Sequence, residues 1–108
     1  MENKTFAFIK SDKKLIKIFH NDITIIRGLG NYVEIYTLLN KKFIYYKSLK
    51  QLIISLPDEF MRIHNSTIVN LINIDSFEDN HIIMQDTKIT VAKSCRNCLA
   101  NKIDSYML

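Results

Sequence analysis

Arg62, His64, Asn65, Ser66 and Asn70 fall within one run, FMRIHNSTIVNLINI (residues 60–74), whose other members are almost all apolar. Polar groups able to meet a partner are thus set into a segment that otherwise belongs to a core, the pattern of a rigidly held recognition surface. The plainer alternative is a strand, a tight turn at Asn65-Ser66 and a second strand, with the polar residues satisfying only local backbone groups. These residues alone leave both readings open. His64 has the chemistry of a general base, but a nucleophile would have to come from Ser66 or a remote cysteine. Neither a GxSxG-type elbow nor an orienting acid accompanies it, so no catalytic residue is assigned and the chain is not read as an enzyme.

Cys95 and Cys98 have the spacing of a redox or metal pair, yet no second CxxC or histidine pair completes a zinc set. On a helix both sulfurs would lie on the apolar face and pack as small hydrophobes. No metal or cofactor is expected. The GxGxxG fingerprint needs three glycines between a strand and a helix, whereas Gly28 and Gly30 are followed by alternating strand sequence. A nucleotide-binding loop is therefore not expected. Tyrosines on a sheet could stack on single-stranded bases, but the alternation of Tyr32 and Tyr36 fits packing on a sheet face equally well.

The elements that must position these groups follow from local pattern. Residues 6–10 (FAFIK) and 15–19 (LIKIF) read as a hairpin across Ser11-Asp12-Lys13-Lys14. Residues 23–27 form a strand, Gly28-Leu29-Gly30-Asn31 a loop with unusual backbone angles, and residues 32–37 a strand with Val33, Ile35 and Thr37 on one face. Asn40-Lys41-Lys42 turns into a strand at residues 43–47. Ser48 and Gln51 have the form of a capping box, and Leu49, Leu52, Ile53 and Leu56 recur at helical spacing before Pro57. Beyond residue 74, segments 74–78, 81–85 and 88–91 form a meander joined at Asp79-Asn80 and Asp86-Thr87. A last helix runs from about Ser94 to Ile103 with Cys95, Cys98, Leu99 and Ile103 on one face. The sum is about eight to ten short strands and two helices, mostly antiparallel because the links are too short for crossovers.

The 108 residues suffice for one small domain, residues 1–108, and 47% hydrophobic against 24% charged residues is a globular composition. The net charge of +4 and pI of about 9.1 favour anionic partners. The cations are spread, however, over residues 10–17, 41–50 and 88–102, as ordinary solvated charges also are. There is no signal-peptide pattern, and no apolar run reaches the roughly 18–20 residues of a membrane helix, so a cytoplasmic protein without a membrane partner is expected.

Three segments resemble the LytTR family of bacterial DNA-binding domains, over roughly residues 6–103. IIRGLGNYVEIYT resembles the family's strand, loop and strand around E-x-x-x-N-Y-V, with Arg27 where Glu is usual and Gly28 where Ala or Ser is frequent. FMRIHNSTIVNLINI resembles F-x-R-x-H-(R/N)-S-x-x-V-N-x-x-x-I, matched at Phe60, Arg62, His64, Asn65, Ser66, Val69, Asn70 and Ile74. ITVAKSCRNCL resembles the closing I-x-V-S-R segment and helix, with Ala92-Lys93 replacing Ser-Arg.

The resemblance implies a mainly β, elongated fold of about ten short, mostly antiparallel strands with two short helices, whose loops enter successive major grooves. Carried over by motif position, Asn31, Asn65 and Lys93 would read bases, and Lys47, Arg62, His64, Ser66, Ser94 and Arg96 would contact phosphate or support the readers. Lys93 would give a looser, point-charge contact than the arginine it replaces. His64 and Asn70 are expected to brace the recognition loop. The implied partners are double-stranded DNA at direct-repeat promoter sites and a second copy on that DNA. Family members often follow a receiver domain that answers to a sensor kinase. This chain has no room for one, so it is either an excised output domain or a stand-alone regulator. The alternative is a small β-domain that binds a protein partner through its edges, its basic surface incidental.

Overall fold

The computed structural model describes residues 5–108. β1 (Phe6–Ser11) and β2 (Lys14–Phe19) pair antiparallel with Phe6 opposite Phe19. Asp12 and Lys13 between them have φ of 52° and 64°, the left-handed pair of a two-residue type I′ turn. A 3₁₀ turn at His20–Asp22 leads to β3 (Ile23–Leu29), which hairpins into β4 (Tyr32–Thr37).

The expected four-residue glycine loop contracts here to Gly30-Asn31. Gly28 and Leu29 stay in the ladder opposite Val33 and Tyr32, and the Gly28 N–H donates to the Ser66 carbonyl at 2.8 Å. Gly30 alone takes a positive φ, 71°. Gly28 is favoured for a different reason: a Cβ there would sit 2.9 Å from Leu49 Cδ1, so a larger residue would make that side chain shift.

β5 (Lys42–Tyr45) follows, then α1 (Leu49–Ser55). The capping box forms as expected: Ser48 Oγ accepts from the Gln51 N–H and Gln51 Oε1 from the Ser48 N–H, each at 3.2 Å. Pro57 holds Leu56 out of the helical region, at φ −84° and ψ 152°, and the helix stops. β6 (Phe60–His64) and β7 (Thr67–Asn70) flank the Asn65-Ser66 turn, and a 3₁₀ turn at Leu71–Asn73 leads to the meander β8 (Ser76–Glu78), β9 (His81–Met84) and β10 (Thr87–Thr90). The second meander turn is Gln85-Asp86 rather than Asp86-Thr87. Both turn residues carry positive φ, which a β-branched threonine disfavours, so Thr87 goes to the strand.

A 3₁₀ turn at Lys93–Cys95 precedes α2 (Arg96–Asp104). Cys98, Leu99 and Ile103 all lie within α2, where Cys98 is turned about 100° from Leu99 and further from Ile103. Leu99 is fully buried with Ile103 and Cys95 against the same core, but Cys98 is exposed and does not share that apolar face.

The five-stranded sheet has the order β5-β4-β3-β7-β6, all neighbours antiparallel. Successive residues point to opposite faces, so Ile26 and Ile68 enter one core while Ile25 and Val69 enter another. The β1–β2 hairpin and α1 cover the first face through Ile9, Ile18, Leu49 and Leu52. The three-stranded sheet and α2 cover the second through Ile82, Met84, Val91 and Leu99. With ten strands and two α-helices among the described residues, the architecture is the expected mainly β one.

Candidate nucleic-acid interface

With both faces of the central sheet covered, its ends remain. The β3–β4 turn, the β6–β7 turn and the exit of β5 lie at one end, because Leu29 pairs with Tyr32, Arg27 with Thr67 and Val33 with Tyr45. Asn31 is therefore brought to the same end as Asn65 and Ser66, and all three are exposed. The hydrogen bond from Gly28 to Ser66 ties the two turns together.

Lys93 is brought to this end by a different device. The register of β6 against β7 skips at Ile63, whose side chain is fully buried in the second core. The Ile63 carbonyl accepts the Ala92 N–H at 2.9 Å, which docks the Lys93–Cys95 turn beside β6. Lys93 and Ser94 are exposed there, with Ser94 Oγ 3.9 Å from Cys95 Sγ. Arg96 opens α2 half-buried, and its Nε has no hydrogen-bond partner among the described residues.

The β6–β7 turn is braced from within. An Arg62 Nη2 donates to the Asn65 carbonyl at 2.6 Å, a charge-assisted bond that fixes the turn backbone. The Ser66 N–H donates to His64 Nδ1 at 3.2 Å, and Ser66 Oγ lies 3.1 Å from the same nitrogen. An amide N–H is an obligate donor, so Nδ1 is the acceptor and the ring proton resides on Nε2. That leaves His64 one outward donor, Nε2–H, with Nδ1 engaged by Ser66.

Asn70 does not brace this turn. β7 separates them by roughly 10 Å, and the fully buried Asn70 works at the other end. Its Nδ2 donates to the His20 and Ile23 carbonyls at 2.9 and 3.0 Å, while Oδ1 accepts the Ile72 N–H at 3.1 Å.

Not every lysine near this region is free to meet an anion. Lys42 Nζ is 3.0 Å from Glu34 Oε2, and Tyr36 donates to Glu34 Oε1 at 2.9 Å. The Lys42 and Tyr36 hydrogen bonds hold Glu34 below the usual carboxylate range. Bonding to Glu34 raises Lys42, and desolvation followed by the same carboxylate raises Tyr36. Lys47, past the end of β5, has no carboxylate partner among the described ion pairs, and its Nζ sits 5.8 Å from the Tyr45 ring centroid.

Sequence reasoning passed over Tyr46. It is 76% exposed beside Lys47, its ring 5.6 Å from that of Tyr32, adjacent to Asn31. The available signal was an aromatic outside the inward set of a strand. Among the described residues no group of three or more His, Cys, Asp or Glu could hold a metal ion. No helix of the described residues is long and apolar enough to cross a membrane.

A family model for the LytTr DNA-binding domain matches residues 13–104. Among solved structures, the LytTr DNA-binding domain of a Bacillus cereus protein described as a methyl-accepting/DNA response regulator aligns with a TM-score of 0.78 at 18% identity. That alignment covers 94% of this chain and 98% of the other. No curated protein sequence matches the chain. The structural likeness establishes the fold and the sequence match the lineage: the chain belongs to the LytTR family of DNA-binding domains.

Proposed function

We propose that the chain acts as one domain that binds double-stranded DNA with sequence preference, with Asn31, Asn65 and Lys93 at base edges. The supporting observation is that three connectors from separate parts of the sequence project from one sheet end and are tied together by two backbone hydrogen bonds. Asparagine can bond an adenine edge bidentately, while the lysine ammonium is a point charge that favours guanine acceptors less selectively. Lys47, Arg62, Arg96 and Ser94 flank the readers as phosphate contacts, and the outward Nε2–H of His64 and the Ser66 hydroxyl add neutral donors. The orphaned Arg96 Nε is a donor that an incoming oxygen would satisfy.

From β5 to β6 the end of the sheet measures four strand spacings, roughly 19 Å, with the Lys93 turn beyond it. A major groove is about 12 Å wide. The row is therefore longer than one groove is wide, and cations at its extremes reach the phosphates at the groove's edges while the Asn31 and Asn65 turns, about two strand spacings apart, face the bases between them. In this reading the domain is the output element of a bacterial transcription regulator, working in the cytoplasm, most simply one controlled by a phosphorylated receiver.

Replacing Asn65 by Ala should cost about 1–3 kcal/mol of binding and relax preference at one base pair, whereas Lys47→Ala should weaken all sequences about equally. Competition binding among duplexes that vary one base pair at a time measures both. Unaltered preference in the Asn65 variant would remove the assigned role.

A further inference from the structure

Two exposed apolar surfaces lie outside the row of reading loops, and they carry opposite charge. The first is the outer face of the β1–β2 hairpin. Its register places three rungs on that face, Phe6 with Phe19, Phe8 with Lys17 and Lys10 with Leu15. The inward residues Ile9, Ile16 and Ile18 pack on the first core, leaving Phe6, Phe8, Phe19 and Leu15 at 41, 56, 46 and 72% exposure. A contiguous aromatic face of this kind marks an interaction surface, unlike apolar residues scattered singly. Phe6 stands edge-on to Phe8 and Phe19, and Lys17 Nζ lies 4.4 and 4.9 Å from the Phe6 and Phe19 centroids. Lys10 shares the face, so it is cationic as well as aromatic.

The second is an apolar groove of about 380 Å³ at the end of β7 remote from the Asn65 turn. Ile72, Ile74, Phe77, Ile103 and Tyr106 line it, and Glu59 is its only charged lining residue. Glu78 adds a second carboxylate at the rim, where Ser76 Oγ, itself part of the lining, donates to it at 2.9 Å.

We infer that the cationic aromatic hairpin of one copy of this chain docks into the carboxylate-bearing groove of a second copy. The occupant is argued from complementarity: both surfaces are apolar, the hairpin face brings Lys10 and Lys17, and the groove brings Glu59 and, at its rim, Glu78, of which Glu59 also borders the hollow beside Phe6 and Phe8 of its own chain. A contact between two different patches is heterologous, so successive copies face the same way and the array stays open unless its rotation closes it. The reading loops remain free in such an array. The contact is weak by itself and is reinforced when a duplex holds two copies side by side, because the second contact becomes intramolecular. Only this reinforcement rests on the DNA-binding reading; the contact between copies does not.

The test uses two variants of exposed residues, one in the hairpin (F8E with K17E) and one in the groove (I72K with E78K), each checked for native circular dichroism. In sedimentation at rising concentration the unsubstituted chain should self-associate, and either variant alone should do so about tenfold more weakly or worse. An equimolar mixture should recover a dimer and nothing larger, since one variant keeps its groove and the other its hairpin. On a duplex with two tandem sites, each variant should lose a cooperativity of roughly 5–150-fold while its single-site affinity is unchanged. A chain that is monomeric at every concentration and non-cooperative on two sites overturns the inference. So does self-association that the mixture fails to recover, which would mark a contact of like with like. Absence of single-site binding by the unsubstituted chain would instead remove the DNA reading and leave the sedimentation result standing.

Discussion

Asn65 and Asn70 are the same residue type in the same stretch, and the fold gives them opposite work. Asn65 is exposed at the tip of a turn whose carbonyl Arg62 holds, while Asn70 is fully buried with all of its bonds spent on backbone. Replacing Asn70 by Ala strands the Ile72 N–H and removes one donor each from two carbonyls. Ile23 keeps the Asn73 side chain at 2.8 Å, which softens the loss. The expected cost is about 2–3 kcal/mol of folding stability. Urea unfolding should show a lower midpoint at constant slope, with base preference of the folded fraction unchanged. A shift in preference would return Asn70 to the recognition loop, where the sequence alone placed it. That misplacement has a physical source: a motif records which residues occur together, and four residues of strand suffice to send two of them to opposite ends. Cys98 shows a related limit, since it lies at the edge of the expected apolar arc, about 100° from Leu99 on α2, and helical spacing does not say how wide a face the core covers.

At the scale of elements, the polar dipeptides proved the most readable signals. Asp12-Lys13, Asp79-Asn80 and Gln85-Asp86 all take paired positive φ, as two-residue hairpins require. Only the last was displaced, by one residue. The capping box and the stop before Pro57 were legible because both depend on neighbours in sequence. The close fit at Gly28 was not, because it comes from the Leu49 side chain on a helix distant in sequence. Lys13 is the residue least suited to its turn, a long side chain at φ 64° where Asp-Gly or Asn-Gly pairs are favoured. Lys13→Gly should relieve left-handed strain and stabilise the chain by up to about 1 kcal/mol, the glycine's added unfolded-state entropy offsetting part of the gain. A rise in Tm of a few degrees in thermal unfolding checks it; a fall would mean that the hairpin is not closed by this turn in solution.

At the scale of the molecule, the covering of both sheet faces is what turns an end into a binding surface. That consequence could be read only in part, since the strand count follows from pattern but the order β5-β4-β3-β7-β6 is set by long-range pairing. The order also sorts the charges. Of the spread lysines, Lys10 and Lys17 lie on the hairpin and Lys42 is engaged by Glu34, so the fifteen Lys and Arg of the chain overstate what faces a duplex. Arg27, also at the loop-bearing end, stands opposite Glu34, which leaves Lys47, Arg62, Lys93 and Arg96 as the cations there without a facing carboxylate among the described residues. If they are the groups that neutralise phosphates, the logarithm of affinity should fall against the logarithm of salt with a slope of about −3 to −4. Between about 50 and 200 mM this amounts to a loss of roughly a hundredfold. Fluorescence anisotropy with a labelled duplex over that range measures the slope, and Lys47→Ala should reduce its magnitude by about one. A slope near zero would point to contacts without phosphate neutralisation and favour a protein-binding module. A slope twice as steep would require cations outside this end, the hairpin lysines first among them, to lie on the DNA, and would move that face from a docking surface for a second copy to part of the duplex interface.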